Sequence, residues 1–371
     1  MSKHNLSQFK TSSQTWTAYA WFHLKQNPFF LHPFQPTRYQ TLFGRVQLRQ
    51  QLGSILRSGQ NVAITGESGI GKSSLLNQVA QDLQDATYIF RLSLSQPSLK
   101  SWIQGLSWNQ SFMKNEVFQK MHLESELTPK SIQKFLTYFQ RLKHFSVIVI
   151  DDLDKVIGDG ITCRTRSQKI IHFFCELQMV LEKNPLLGIV ASLPPEFYPP
   201  VETQESILSF FQAIYHIEKF SSQELQDFLF ERLHQVGWKQ PISKLLNPEA
   251  LILAKSLSMG IPRRFLYLLS RGLQQAWIHQ HKQVEFQDIF EVLQEQFALD
   301  TVIKKMLYFF TKSKRVVASN SDFQSFMNLD MVSLNRRLES LAKLQLIRQV
   351  DSVNGFTVYS IKGEDNSRED A

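Results

Sequence analysis

Short, unbroken apolar runs alternate with stretches of helical period through the first 220 residues, and then the runs stop. The runs lie at 61–65, 88–94, 146–151, 187–193 and 214–218. Strands that are apolar at every position are buried on both faces, so the pattern predicts a parallel sheet covered by helices. A helix is expected before the first run, at 45–58, with Val46, Leu48, Leu52, Ile55 and Leu56 on its apolar side. Beyond residue 220 the period is helical throughout. Ser221 or Ser222 caps a helix at 223–236, and Asn247-Pro248-Glu249 opens the next. Gly260-Ile261-Pro262 breaks it, and further helices follow at 263–279 and 286–296.

From residue 300 the period changes once more. Helices are predicted at 302–310, 322–327 and 333–345, the last with Leu334, Leu338, Leu341 and Leu344 on one face. Two strands, 346–350 and 356–361, flank Asn354-Gly355, a strong hairpin signal. Three helices and a hairpin form the plan of a winged helix-turn-helix. The expected organisation is an arm at 1–40, an α/β core at 41–220, a helical lid at 221–298, the winged unit at 299–362 and an acidic tail at 363–371. Residues 1–15 and the tail are expected to be disordered. A short helix at 16–26 and the aromatic stretch Asn27-Pro28-Phe29-Phe30 are expected to pack on the core.

Candidate chemistry gathers at the carboxyl ends of the runs, where parallel sheets place their sites. After the first comes Gly66-Glu67-Ser68-Gly69-Ile70-Gly71-Lys72-Ser73, followed by the helix-like Ser74-Leu75-Leu76. This is G-x-x-x-x-G-K-[ST] between a strand and a helix, a phosphate-binding loop. Its glycines let backbone N–H groups, with the helix N-terminus, face phosphate oxygens. Lys72 would reach the β- and γ-phosphates of ATP, Ser73 would ligate Mg²⁺, and Ser74 would complete the cradle. The run 146–151 ends in Asp151-Asp152, the form of a Walker B motif. Asp151 is the expected metal ligand and Asp152 the expected water-orienting base. Ser192 ends the fourth run, where it would touch the γ-phosphate or the attacking water. Arg263 opens a helix after Gly260-Ile261-Pro262 and would point back at the phosphates, with Arg264 as the competitor for that role.

Composition narrows the setting. The chain has 371 residues, 43% of them hydrophobic, 29 phenylalanines and a net charge of +8. The two cysteines, Cys163 and Cys175, have no metal-ligand companions, and no apolar run approaches a membrane span of ~18 residues. A cytoplasmic protein with reduced thiols and no membrane partner is expected. Most of the charge excess lies in 302–362, where ten basic residues face four acidic ones for a net +6. Arg336, Arg337 and Lys343 lie off the leucine stripe of the third helix, so they are the candidate contacts to double-stranded DNA. Lys312, Lys314 and Arg315 would suit phosphates.

Gly66–Ser73, Asp151-Asp152, Ser192 and Gly260-Ile261-Pro262-Arg263 stand in the order of an AAA+ ATPase. With the winged unit, the chain resembles the branch holding origin-recognition and archaeal replication-initiator ATPases. Phe22-His23-Leu24-Lys25-Gln26-Asn27-Pro28-Phe29 and Leu42-Phe43-Gly44-Arg45 also resemble bacterial transposition-type ATPases. The resemblance implies ATP hydrolysis, ring or filament assembly and a protein partner to be loaded or recruited. Two departures stand out. Those families carry glutamate where this chain has Asp152, whereas signalling ATPases of the STAND class show the Asp-Asp pair. No Lys or Arg occurs from 184 through 218, where an arginine finger is expected. Arg164 and Arg166 are the remaining candidates for one. Both departures point to slow hydrolysis. Two readings follow: an ATP-dependent DNA-binding switch, or a STAND-like signalling ATPase whose winged unit docks protein. A motor tracking along nucleic acid is disfavoured, since no helicase motif accompanies the loop.

Overall fold

A computed structural model describes residues 18–31, 43–83, 88–93, 146–151, 153, parts of 168–178, 187–197, 210–296, 300–313, 315–344, 346–353 and 356–361. The chain forms two compact units, one of residues 33–218 and one combining 1–32 with 219–371.

The first unit is built on a five-stranded sheet: β1 (Val62–Thr65), β2 (Tyr88–Ser93), β3 (Ser146–Asp151), β4 (Leu187–Leu193) and β5 (Ala213–His216). Spatial order is β2-β3-β4-β1-β5, and every pairing is parallel. The runs that form β1, β3 and β4 fold as expected because both faces are covered, whereas β5 at the sheet edge is half-buried, with His216 exposed. Val62, Ala63, Ile64, Val147, Ile150, Ile189 and Val190 are all inaccessible to solvent. Helices α1 (Val46–Arg57) and α2 (Lys72–Leu83) flank β1 in sequence. They bury Leu52 and Leu56, and Leu75, Leu76, Val79 and Leu83. Arg49 of α1 pairs with Asp82 of α2 at 3.1 Å. Asn61, just before β1, stitches the sheet: its amide donates to the Phe210 carbonyl at 3.2 Å and accepts from the Ile189 N–H at 3.1 Å.

In the second unit, α3 (Ser222–Gln235), α4 (Pro248–Ser258), α5 (Pro262–Ile278) and α6 (Phe286–Gln296) form a helical layer. Ser221, not Ser222, caps α3, in a capping box with Glu224. Asn247 caps α4 with Pro248 in its first turn. Gly260, at φ 73°, packs directly on residues 219–220.

The remaining elements are α7 (Thr301–Lys312), β6 (Val316–Val317), α8 (Ser321–Met327), α9 (Met331–Lys343), β7 (Ile347–Val353) and β8 (Phe356–Ile361). The three strands pair antiparallel in the order β6-β8-β7. Strand β6 is an addition to the sequence reading: two residues are too short to show a period. Asn354-Gly355 lies outside the described residues, while Val353 and Phe356 on either side are paired. Leu334, Leu338 and Leu341 are buried as the stripe requires, but Leu344 is not. It follows the last turn of α9 and is 42% exposed.

The aromatic arm corrects an expectation. Residues 18–31 belong with the helices of the second unit, not with the sheet. The Tyr19 hydroxyl meets Ser270 Oγ at 3.1 Å, Trp21 Nε1 donates to the His281 carbonyl, and the Arg232 guanidinium lies 4.1 Å from the Phe30 ring centre. Burial pushes the Arg232 pKa down to about 10.

Candidate nucleotide site

The phosphate-binding loop joins β1 to α2. Gly66 has φ 149° and Gly71 φ 110°, values that side chains disfavour. A Cβ on Gly66 would stand 3.0 Å from the Ile217 carbonyl oxygen and 3.2 Å from Ile70 Cγ2, a tight fit on top of the backbone strain. Ile70 anchors the loop at 1% exposure, while Ser68 is exposed and Glu67 and Gly69 are half-buried. Lys72 is the first residue of α2 and only 6% exposed. Its Nζ donates to the carbonyls of Gly66, at 2.7 Å, and Glu67, at 3.3 Å. These bonds offset the desolvation of its charge. Ser73 and Ser74 are half-buried in the first turn of α2, where backbone N–H groups lack helical acceptors.

Strand order explains the next contact. Ile150 of β3 pairs with Ala191 of β4, and Ile64 of β1 pairs with Ser192. Asp151 and Ser192 are therefore one step beyond a matched pair, at the carboxyl edge, with side chains on the same face. Ser192 is fully buried and its Oγ donates to Asp151 Oδ1 at 2.7 Å. The sequence places Ser192 against phosphate or water; the structure gives its hydroxyl a partner the sequence does not show, the candidate metal-binding carboxylate. Asp152, Arg164, Arg166 and Cys163 lie outside the described residues. Cys175 is a free thiol.

Three supporting side chains escape sequence reasoning. Arg45, at φ 58° before α1, donates through Nη2 to the Ile70 and Glu218 carbonyls, both at 3.2 Å, and so buttresses the loop. Thr65 Oγ1 donates to the Pro194 carbonyl at 3.0 Å. Asn61 bonds on both sides of β1, as above. Each role depends on partners more than 20 residues away, and no local pattern announces them.

The other candidates belong to the second unit. Arg263 and Arg264 are exposed in the first turn of α5 and line a cavity of about 520 Å³ with Leu31, Met259, Tyr267 and Leu344. On α9, Arg336 and Lys343 are exposed. Arg337 is engaged: its Nη1 meets Asp300 Oδ2 at 2.9 Å. Partial burial works against ionisation of Asp300, yet the Ile303 N–H and Arg337 outweigh it and hold the carboxyl below the usual range. Lys312 is tied to Glu249 in an ion pair rather than left open to phosphates. Lys314 lies outside the described residues. Among the described residues, no helix is long and apolar enough to cross a membrane.

No curated protein matches the sequence. Among solved structures, the chain is similar to Cdc6p from Pyrobaculum aerophilum at 13% identity and TM-score 0.56, over 90% of this chain and 93% of that one. It is also similar to a Drosophila ORC chain, solved bound to DNA, at 15% identity and TM-score 0.51, over 98% and 92%. The Aeropyrum pernix ORC1 protein, solved in complex with DNA, follows at 14% identity and TM-score 0.50, over 87% and 90%. At these identities the likenesses show the fold alone, the one this chain shares with Cdc6p and the ORC proteins. A sequence model of the family described as Novel STAND NTPase 1 matches residues 29–318. The chain, with its glycine-lined loop, its buried lysine and its strand-end aspartate, belongs to that STAND NTPase family.

Proposed function

We propose that this chain binds ATP with Mg²⁺ and acts as a slowly hydrolysing molecular switch of the signalling kind, with residues 299–362 serving as a winged helix-turn-helix output module. The observation that carries this reading is the Ser192–Asp151 hydrogen bond on the same sheet edge as a loop that folds around Lys72.

The residues present fit the nucleotide. A loop whose glycines 66, 69 and 71 all hold positive φ presents its N–H groups, and a cation and a carboxylate are both at hand. In this reading Gly66, Glu67, Ser68, Gly69, Ile70, Gly71 and Ser74 cradle the phosphates. Lys72 exchanges loop carbonyls for phosphate oxygens. Ser73 and Asp151 hold the metal, and Ser192 fixes the orientation of the Asp151 carboxylate. Asp152 orients water, and Arg263 reports the bound state to the helices of 221–298. Bound Mg²⁺ would neutralise charge on the transferred phosphate. Slow turnover follows from the short Asp152 side chain and from the lack of Lys and Arg through 184–218. An arginine finger is worth about 10³–10⁵ in rate where one is supplied.

Family membership favours signalling, and so does the surface of α8 and α9. Phe326, Met331 and Val332 are 43, 39 and 58% exposed around the turn between these helices, a surface better matched to a protein partner, or to another copy, than to phosphates. A second reading, duplex DNA as the partner, is favoured by the exposed Arg336 and Lys343 in a region of net charge +6. Anisotropy with duplex DNA, in ATP and in ADP across a salt series, separates the two. The DNA reading predicts steep salt dependence, a nucleotide effect and loss of both in an Arg336→Glu/Lys343→Glu variant. The signalling reading predicts weak binding that is indifferent to nucleotide and to that variant.

A further inference from the structure

The corner between α5 and α6 gathers metal-binding chemistry that the nucleotide site does not use. His279 ends α5, His281 follows across a turn in which Gln280 has φ 60°, and Asp288 lies in the first turn of α6. His279 Nδ1 stands 2.9 Å from Asp288 Oδ1. His281 Nδ1 stands 3.1 Å from that oxygen and 3.0 Å from Oδ2. One donor atom from each residue lies within 4.8 Å of the others. The carboxylate is fully buried, whereas the imidazoles are 31% and 35% exposed, so the pocket has an acidic floor and an approach from solvent.

Two further contacts shape the corner. The Glu285 N–H donates to Asp288 Oδ2 at 2.8 Å, which fixes the carboxylate. On the far side of the first imidazole, His279 Nε2 faces Glu291 Oε2 at 3.3 Å. With a cation between Nδ1 and Asp288, Nδ1 offers its lone pair while Nε2–H donates to Glu291, the arrangement that orients histidines in metal centres.

We propose that His279, His281 and Asp288 bind one divalent ion of the zinc class, with Glu291 orienting His279 and water completing four ligands. Two imidazoles and a carboxylate suit Zn²⁺. Tetrahedral ligands at zinc bond lengths stand about 3.4 Å apart, so the side chains open by a few tenths of an ångström to admit the ion. Trp21 Nε1 donates to the His281 carbonyl at 3.0 Å, so an ion here also braces the segment 18–31.

The test uses the tag-free full chain, loaded with Zn²⁺ and dialysed against buffer containing excess Mg²⁺ to mask the nucleotide site. We expect one retained zinc per chain by elemental analysis and a Zn²⁺-dependent rise in Tm. Both should be lost in His279→Ala/His281→Ala, with the fold of the variant verified by circular dichroism. Glu291→Gln should weaken affinity roughly tenfold or more, and Lys72→Ala should leave it unchanged. Zinc retention or a Tm rise equal in wild type and the double variant overturns the proposal, as does no retention in wild type.

Discussion

Ser192 is where sequence and structure differ most usefully. A serine ending a strand is common, and its expected target was phosphate or water. The structure adds Asp151 as a partner, set by the register between β4 and β3, strands whose sequences are 35 residues apart. Register between distant strands leaves no local trace. A bond to a charged group is worth roughly 1.5–3 kcal/mol. Ser192→Ala is therefore expected to lower ATP turnover roughly tenfold or more by loosening Asp151, with a smaller effect on nucleotide affinity. Single-turnover kinetics beside equilibrium binding separates these effects. An equal loss in both would assign Ser192 to ground-state binding. Arg45 stands in a recognisable motif, but its role is not legible there, because its left-handed backbone and its two carbonyl partners exist only once the loop and the segment after β5 have come together.

Helices and strands were the most legible parts of the chain. Five strands and the helices after residue 220 follow from apolar period, caps and breakers, because burial on known faces dictates those patterns. The packing of the 18–31 arm did not follow, since aromatic side chains fit any apolar surface. The break at Gly260 was legible as a break but not as a close contact. A Cβ there would stand 2.4 Å from the Phe220 carbonyl oxygen at a φ of 73°, whereas one on Gly272 would crowd side chains alone, Ile289 Cδ1 at 2.4 Å and Val284 Cγ1 at 3.3 Å. Gly260→Ala is expected to cost about 3 kcal/mol or more, since rigid backbone must move. Gly272→Ala should cost less, since a side-chain tip can turn aside and alanine favours the helix by ~1 kcal/mol. Urea denaturation of the two variants ranks them. Asp300 caps α7 through the Ile303 N–H. Asp300→Ala should lose about 1 kcal/mol at neutral pH. Because the folded carboxyl is held below its unfolded value of about 3.9, its ionic contribution is complete above that value and disappears as pH falls through the folded one. The pair with Arg337 is largely exposed, so that contribution is small. The stability difference between wild type and Asp300→Asn should accordingly shrink in acid.

For the molecule as a whole, the sequence distinguished the ATPase fold but left the output open. The basic C-terminal region was legible as charge, yet charge alone does not reveal that Arg337 is paired with Asp300 and Lys312 with Glu249. Those pairings and the exposure of Phe326, Met331 and Val332 are the features on which the proposed protein-docking role rests. Every version of the account requires that a nucleoside triphosphate be held by the loop around Lys72. The direct measurement is a titration of a fluorescent ATP analogue in Mg²⁺ against wild type and Lys72→Ala, with Tm recorded for both. Saturable binding by wild type, weakened at least tenfold in a variant that remains folded, is the predicted result; a tenfold loss corresponds to about 1.4 kcal/mol. Equal binding by both proteins, or none by either, would contradict the account.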